Sequence, residues 1–206
     1  MRRMRASLGM VLAWGLLAVT ALGFPIESAG TKWAAVLDGM DVEHRWLAGE
    51  PVSWKTGLYS EKSRQESTHC SAFAAAVCER AGVYMLRPPE HGQALLANAQ
   101  QEWLEMVGAE KGWKRLESGV EAQRLANQGW VVMASYRNPD LHRPGHVAIV
   151  RPSEKATEEI VREGPQIIQA GKHNYTSASV RKGFAQHKGA FENGEIRYYG
   201  HPPVDG

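Results

Sequence analysis

Two short segments constrain this chain more than anything else in it, because each reads as one kind of element and together they carry a thiol and an imidazole. The first is Thr68-His69-Cys70-Ser71-Ala72-Phe73-Ala74-Ala75-Ala76-Val77, alanine-rich and free of Gly and Pro until Gly82. That composition predicts a helix, with Ser67 and Thr68 as candidate N-caps. Cys70 then falls in the first turn, where unpaired backbone N–H groups and the positive end of the helix dipole favour the nucleophilic thiolate. The second segment is Gly145-His146-Val147-Ala148-Ile149-Val150, a short apolar run that stops at Arg151-Pro152 and reads as a buried strand opened by His146. A cysteine at a helix start and a histidine at a strand start, distant in sequence, are the two halves of a thiol-nucleophile site.

The rest of the chain sorts around these segments. Thr31 to Leu47 carries Trp33, Val36, Leu37, Met40, Trp46 and Leu47 as a helical stripe ending at Gly49. A polar connection, 51–67, contains Trp54 and Tyr59. After the cysteine helix, Gly92 to Val107 predicts another helix, Trp113 to Leu116 a short strand, and Ser118 the cap of a helix running to Gln128. Trp130 to Ser135 reads as a strand feeding a loop, Tyr136 to Gly145. Beyond the His146 strand come a charged helix at 153–163, a strand at 166–171, a polar loop at 171–179, a short helix at 180–187 and a last strand at 195–200. Helices first and strands after imply an α+β domain with an antiparallel sheet.

The first 23 residues read as an export leader. Arg2, Arg3 and Arg5 precede an uncharged apolar stretch from Leu8 to Leu22, and Ala21-Leu22-Gly23 offers small residues for cleavage. The apolar run is shorter than the ~20 residues that span a bilayer. The expectation is a periplasmic or secreted protein with no membrane insertion once the leader is gone. Four parts follow from this: leader 1–23, N-terminal helical extension 24–53, catalytic domain 54–200 and tail 201–206. The formal charge of +2 drops to −1 without the three leader arginines, and no basic tract remains, so nucleic acid is not an expected partner. A monomer is expected. Two cysteines in an exported chain suggest a disulfide, but eight helical residues would set Cys70 and Cys78 roughly 12 Å apart, beyond the ~7 Å that a bridge tolerates. Cys78 reads as a small core residue.

The ordered set of Cys70 helix, His146 strand and following strand Gln166-Ile167-Ile168-Gln169-Ala170-Gly171 resembles the papain-like peptidoglycan hydrolases of the NlpC and CHAP type, over residues 54 to 200. The resemblance implies an α+β papain-like fold with N-terminal helices on a small antiparallel sheet. It implies a Cys-His-polar triad, in which Cys70 attacks a peptide carbonyl, His146 takes and returns the proton, and Gln169 orients the imidazole. The Cys70 N–H would bind the oxyanion, with a second donor near Tyr59. No cofactor is required. The expected substrate is an amide of cell-wall peptidoglycan, with Tyr59, Tyr136 and Arg137 as candidate substrate-binding residues alongside Trp54.

Each residue has a competing reading. Cys70 alone reads as a buried structural thiol, His146 alone as a satisfied core histidine, and Gln169 as a polar side chain facing solvent from a strand edge. His142 and His146 have metal-ligand spacing, but Pro144 and Gly145 between them rule out the helix that spacing needs. His173 and Asn174 follow the third strand and either line the site or form a solvated turn. Transpeptidase or acyltransferase chemistry uses the same residues, and a non-catalytic wall-binding module keeps the same fold.

Overall fold

The computed structural model describes residues 23–63 and 67–204; the expected leader lies outside them apart from Gly23. Among the described residues there are six α-helices and six strands. In chain order these are α1 (Ser28–Asp38), α2 (Cys70–Arg80), α3 (Leu96–Met106), β1 (Lys114–Leu116), α4 (Gly119–Asn127), β2 (Val131–Tyr136), β3 (His146–Val150), α5 (Thr157–Glu163), β4 (Gln166–Gln169), β5 (Tyr175–Ser179), α6 (Val180–Gly183) and β6 (Arg197–His201). The strands form one antiparallel sheet in the order β1-β6-β2-β3-β4-β5. The chain is thus α+β. Among the described residues no helix is long and apolar enough to cross a membrane.

Both faces of the sheet are covered, and strand composition shows why. All six residues of β2 and all five of β3 are buried, which demands the near-continuous apolar runs these strands carry. One face packs Met133, Val147, Ile149 and Ile168 against Trp33 and Leu37 of α1, Phe73 and Val77 of α2 and Leu104 of α3. The other packs Val132, Ala148, Val150 and Ile167 against Ala122 and Leu125 of α4 and Val180 and Phe184 at α6. The centre of the first layer is α2, every residue of which from Cys70 to Cys78 is buried. Alanine at four of these nine positions lets other elements approach it closely. Phe73 supplies the bulk, meeting Trp46 edge-on at 5.2 Å, and such burial contributes about 2 kcal/mol per large side chain.

Two expectations change. The stripe from Thr31 to Leu47 is helical only to Asp38. Beyond it Asp41 and Trp46 have positive φ, a backbone no helix contains. Met40, Val42 and Trp46 are buried in the same core as α1 and α2, so the apolar spacing there records a buried loop. Residues of the 24–53 extension thus contribute to the same core as the sheet. Finally, the polar loop expected at 171–179 contains β5, an edge strand paired only with β4. Its sole buried residue is Ala178, so no apolar alternation announces it.

Candidate active site

Cys70 is the first residue of α2, and its N-cap is His69, not Ser67 or Thr68. No side chain caps this helix start. The first amides of a helix have no carbonyl partner within it, and here those of Cys70 and Ser71 act on the thiol itself, together with the N–H of Val147. The chain fold makes that third contact. The β3–β4 ladder joins Ile149 to Ile168 and Val150 to Ile167, while Val147, the residue after His146, turns its amide to the sulfur. His69 is itself buried, its Nε2 2.9 Å from the Glu50 carbonyl, and burial pulls its pKa down.

His146 is buried, 6% exposed, and its ring is fixed from several sides. Nε2 lies 2.9 Å from Gln169 Oε1. The tautomer follows from Gln169, whose Nε2 donates to the carbonyls of His173, at 3.3 Å, and Gly183, at 3.4 Å. Those two acceptors turn the amide so that Oε1, which only accepts, meets the imidazole. His146 therefore carries its proton on Nε2 and its lone pair on Nδ1. Gly183 makes room for this: a Cβ there would stand 2.5 Å from Gln169 Oε1 and 2.4 Å from Ile167 Cδ1. Gln169 is 1% exposed, so the solvent-facing alternative for it falls away. The edge of Phe184 contacts the His146 ring at 4.7 Å, and the His187 ring stacks on it at 5.8 Å.

Cys70 and His146 approach the start of β3 from its two faces. The thiol arrives on the α2 face and reaches the strand at the Val147 amide. Side-chain alternation puts His146 with Ala148 and Val150 on the other face, that of Phe184. Among the described residues no hydrogen bond joins Cys70 to His146. Their charge states also differ from expectation. Burial is the largest influence on each, raising the Cys70 thiol above its ordinary value and lowering the imidazole below its own. The three N–H groups at the sulfur and the Gln169 hydrogen bond oppose those shifts without reversing them. The resting pair at neutral pH is a thiol and a neutral imidazole, and not the thiolate that the helix start alone predicts. Desolvation outweighs the helix terminus here.

The other candidates divide. Tyr136 is the cross-strand partner of His146, 8% exposed, with its ring 4.7 Å from His187. Arg137 points elsewhere, pairing with Glu102 of α3 at 3.3 Å. Tyr59 is 64% exposed and lies opposite Val52 in an isolated bridge, and among the described residues no hydrogen bond or ring contact ties it to Cys70 or His146. Trp54 lies under the Arg87 guanidinium, 5.5 Å away. Asn174 braces the site from behind: it donates to the carbonyls of Val42 and Arg45 and accepts from Gly171 N–H. Cys78 is a free, fully buried thiol pushed up to about 12 by burial, and Cys70 is also free. Among the described residues no three His, Cys, Asp or Glu side chains are grouped to hold a metal ion. A groove of about 810 Å³ lined by Asp38, Arg151, Lys155, Glu163 and Thr176 lies at the far end of β3 from His146, so size alone does not locate the chemistry.

Sequence reasoning missed Phe184 and His187. Both follow α6, a helix of four residues, and nothing in their spacing links them to His146. The chain matches no protein-family model and no curated protein sequence, so the functional reading rests on the geometry just described.

Proposed function

We propose that this protein is an exported cysteine hydrolase of the NlpC/CHAP papain-like class, cleaving an amide bond of cell-wall peptidoglycan through an acyl-enzyme on Cys70. The observation that carries this reading is the His146–Gln169 hydrogen bond. A glutamine clamped by two carbonyls fixes the proton on Nε2 and presents Nδ1 as the base. Cys70 is the nucleophile, since it is the thiol one strand residue away from that base and three N–H groups stabilise its anion. The reaction begins when Sγ and Nδ1, which sit on opposite faces of β3 at rest, are brought together at the start of that strand and Sγ gives its proton to Nδ1. The thiolate attacks the peptide carbonyl, and the amides at the α2 start would stabilise the resulting oxyanion. The imidazolium then protonates the leaving amine, and water releases the acyl group. An amine or hydroxyl acceptor in place of water would make the same site a transferase.

One observation favours a second reading, a wall-binding module without turnover: Cys70 is 4% exposed and has no hydrogen bond to His146. Mass analysis of sacculi after incubation separates the two. The hydrolase reading expects new muropeptide fragments with the wild type and none with Cys70→Ala. Intact sacculi in both samples, with the protein bound, identify the module.

A further inference from the structure

We propose that His187 is a positioning residue for His146, its ring forming the wall that holds the imidazole in place and separates it from an open cavity on the protein surface. The inference rests on the acyl-transfer reading above and assigns a role to a residue that reading does not use. The geometry is specific. The two rings lie 5.8 Å apart and 28° from parallel, so His187 covers a face of His146. Gln169 holds the Nε2 edge, and the Phe184 ring meets His146 at 75°.

His187 is itself anchored. Its N–H donates to the Phe184 carbonyl at 2.9 Å, its carbonyl accepts from Ala190 N–H at 3.0 Å, and its ring packs on Tyr136 at 4.7 Å. It also lines a cavity of about 270 Å³ with Phe184, Phe191, Arg181, Lys188 and Glu192. The half-buried His187 thus both lines that cavity and stacks on an imidazole that is only 6% exposed. Removing it would open His146 to water and release one of the three contacts that orient the ring.

The consequence is a dry, neutral base. Burial lowers both imidazoles, His187 to about 4, and the proximity of His146 and Arg143 adds to the lowering of His187. Of the other ionisable groups, Tyr136 on β2 touches the His187 ring, Arg143 acts on it electrostatically, and Arg181, Lys188 and Glu192 line the cavity. At pH 7 neither ring is charged, so the wall acts by excluding water and not by repulsion.

Two variants of the full chain test this: His187→Ala removes the wall, and His187→Phe keeps a ring of similar shape without a titrating nitrogen. The primary readout is an NMR titration of the His146 ring nitrogens, which needs no substrate. His187→Ala should raise the His146 midpoint toward the ordinary value near 6.5, and His187→Phe should leave it within about 0.3 of the wild type. The acid limb of peptidoglycan hydrolysis should move with the midpoint. An unchanged midpoint in His187→Ala overturns the proposal, and so does a midpoint in His187→Phe that rises as far as in His187→Ala. A midpoint that responds in a wild type lacking hydrolysis keeps the wall and removes the acyl-transfer reading.

Discussion

The two halves of the site are held in different ways. On the imidazole side, Gln169 spends its amide N–H groups on two carbonyls and its oxygen on His146 Nε2, and aromatic rings meet the ring itself. On the thiol side, among the described residues, the groups acting on the sulfur are backbone N–H groups, and burial opposes its ionisation. The imidazole is preset before any substrate arrives, whereas the thiol has still to be brought to it. A base whose tautomer is fixed by a neutral amide stays ready over a broad pH range, and a thiol kept protonated resists oxidation. In the proposed reaction, substrate binding is the event that would pair them.

The largest break in this comparison is removal of the nucleophile. Cys70→Ala should lower hydrolysis of sacculi by a factor on the order of 10⁴ or more with an unchanged circular dichroism spectrum, since alanine fits a helix start made of small residues. Retained turnover would move the chemistry away from α2. Next in size is the tautomer clamp. Gln169→Ala should reduce hydrolysis by roughly 10- to 100-fold while Cys70 alkylation still depends on His146; equal loss from Gln169→Ala and His146→Ala would mean the glutamine does more than orient. Gly183→Ala attacks the clamp from behind, forcing a Cβ to within 2.5 Å of Gln169 Oε1. It should cost about 1–3 kcal/mol of stability, read by urea unfolding, and lower hydrolysis in the same direction as Gln169→Ala. Unaltered stability would show that the pocket behind Gln169 is not tight.

The smallest effect is on stability against pH. His69, His146 and His187 all have folded pKa values below the unfolded one. Each therefore contributes stability that is complete above about pH 6.5 and is lost as pH falls toward its folded value, at no more than ~1.4 kcal/mol per pH unit for each. Thermal melts from pH 7.5 to 4.5 should show a Tm that is flat and then declines below about 6.5. His146→Phe should flatten that decline, and a decline of equal slope would mean His146 titrates normally when folded.

How much of this was legible in the sequence depended on whether local composition and burial agreed. The α2 helix was visible because alanine favours helix and also suits its crowded position, and β3 because a strand buried on both faces reads as one apolar run. Gln169 stood out through alternation with Ile168, and the structure places it on the His146 face. The stripe through Met40 and Trp46 misled because burial of a loop produces the same residues as the apolar face of a helix; only the positive φ of Asp41 and Trp46 tells them apart. The edge strand β5 was hidden by Thr176, Ser177 and Ser179, residues that one-sided pairing permits. His187 was beyond reach, because its meeting with His146 depends on how the turn after α6 folds back over the sheet. The thiolate expectation failed for a similar reason: the helix start is local, but the burial that opposes it comes from the whole fold.

The most direct test of the account is the pH profile of iodoacetamide alkylation at Cys70, measured side by side for the wild type and His146→Ala. If His146 is the base for this thiol, the wild type should keep measurable reactivity near neutral pH by passing its proton to Nδ1. His146→Ala should then react only at the alkaline pH expected of a buried thiol, whose pKa lies above its ordinary value. Two profiles that coincide would show that Cys70 and His146 are not partners, and the site would not be an acyl-transfer centre.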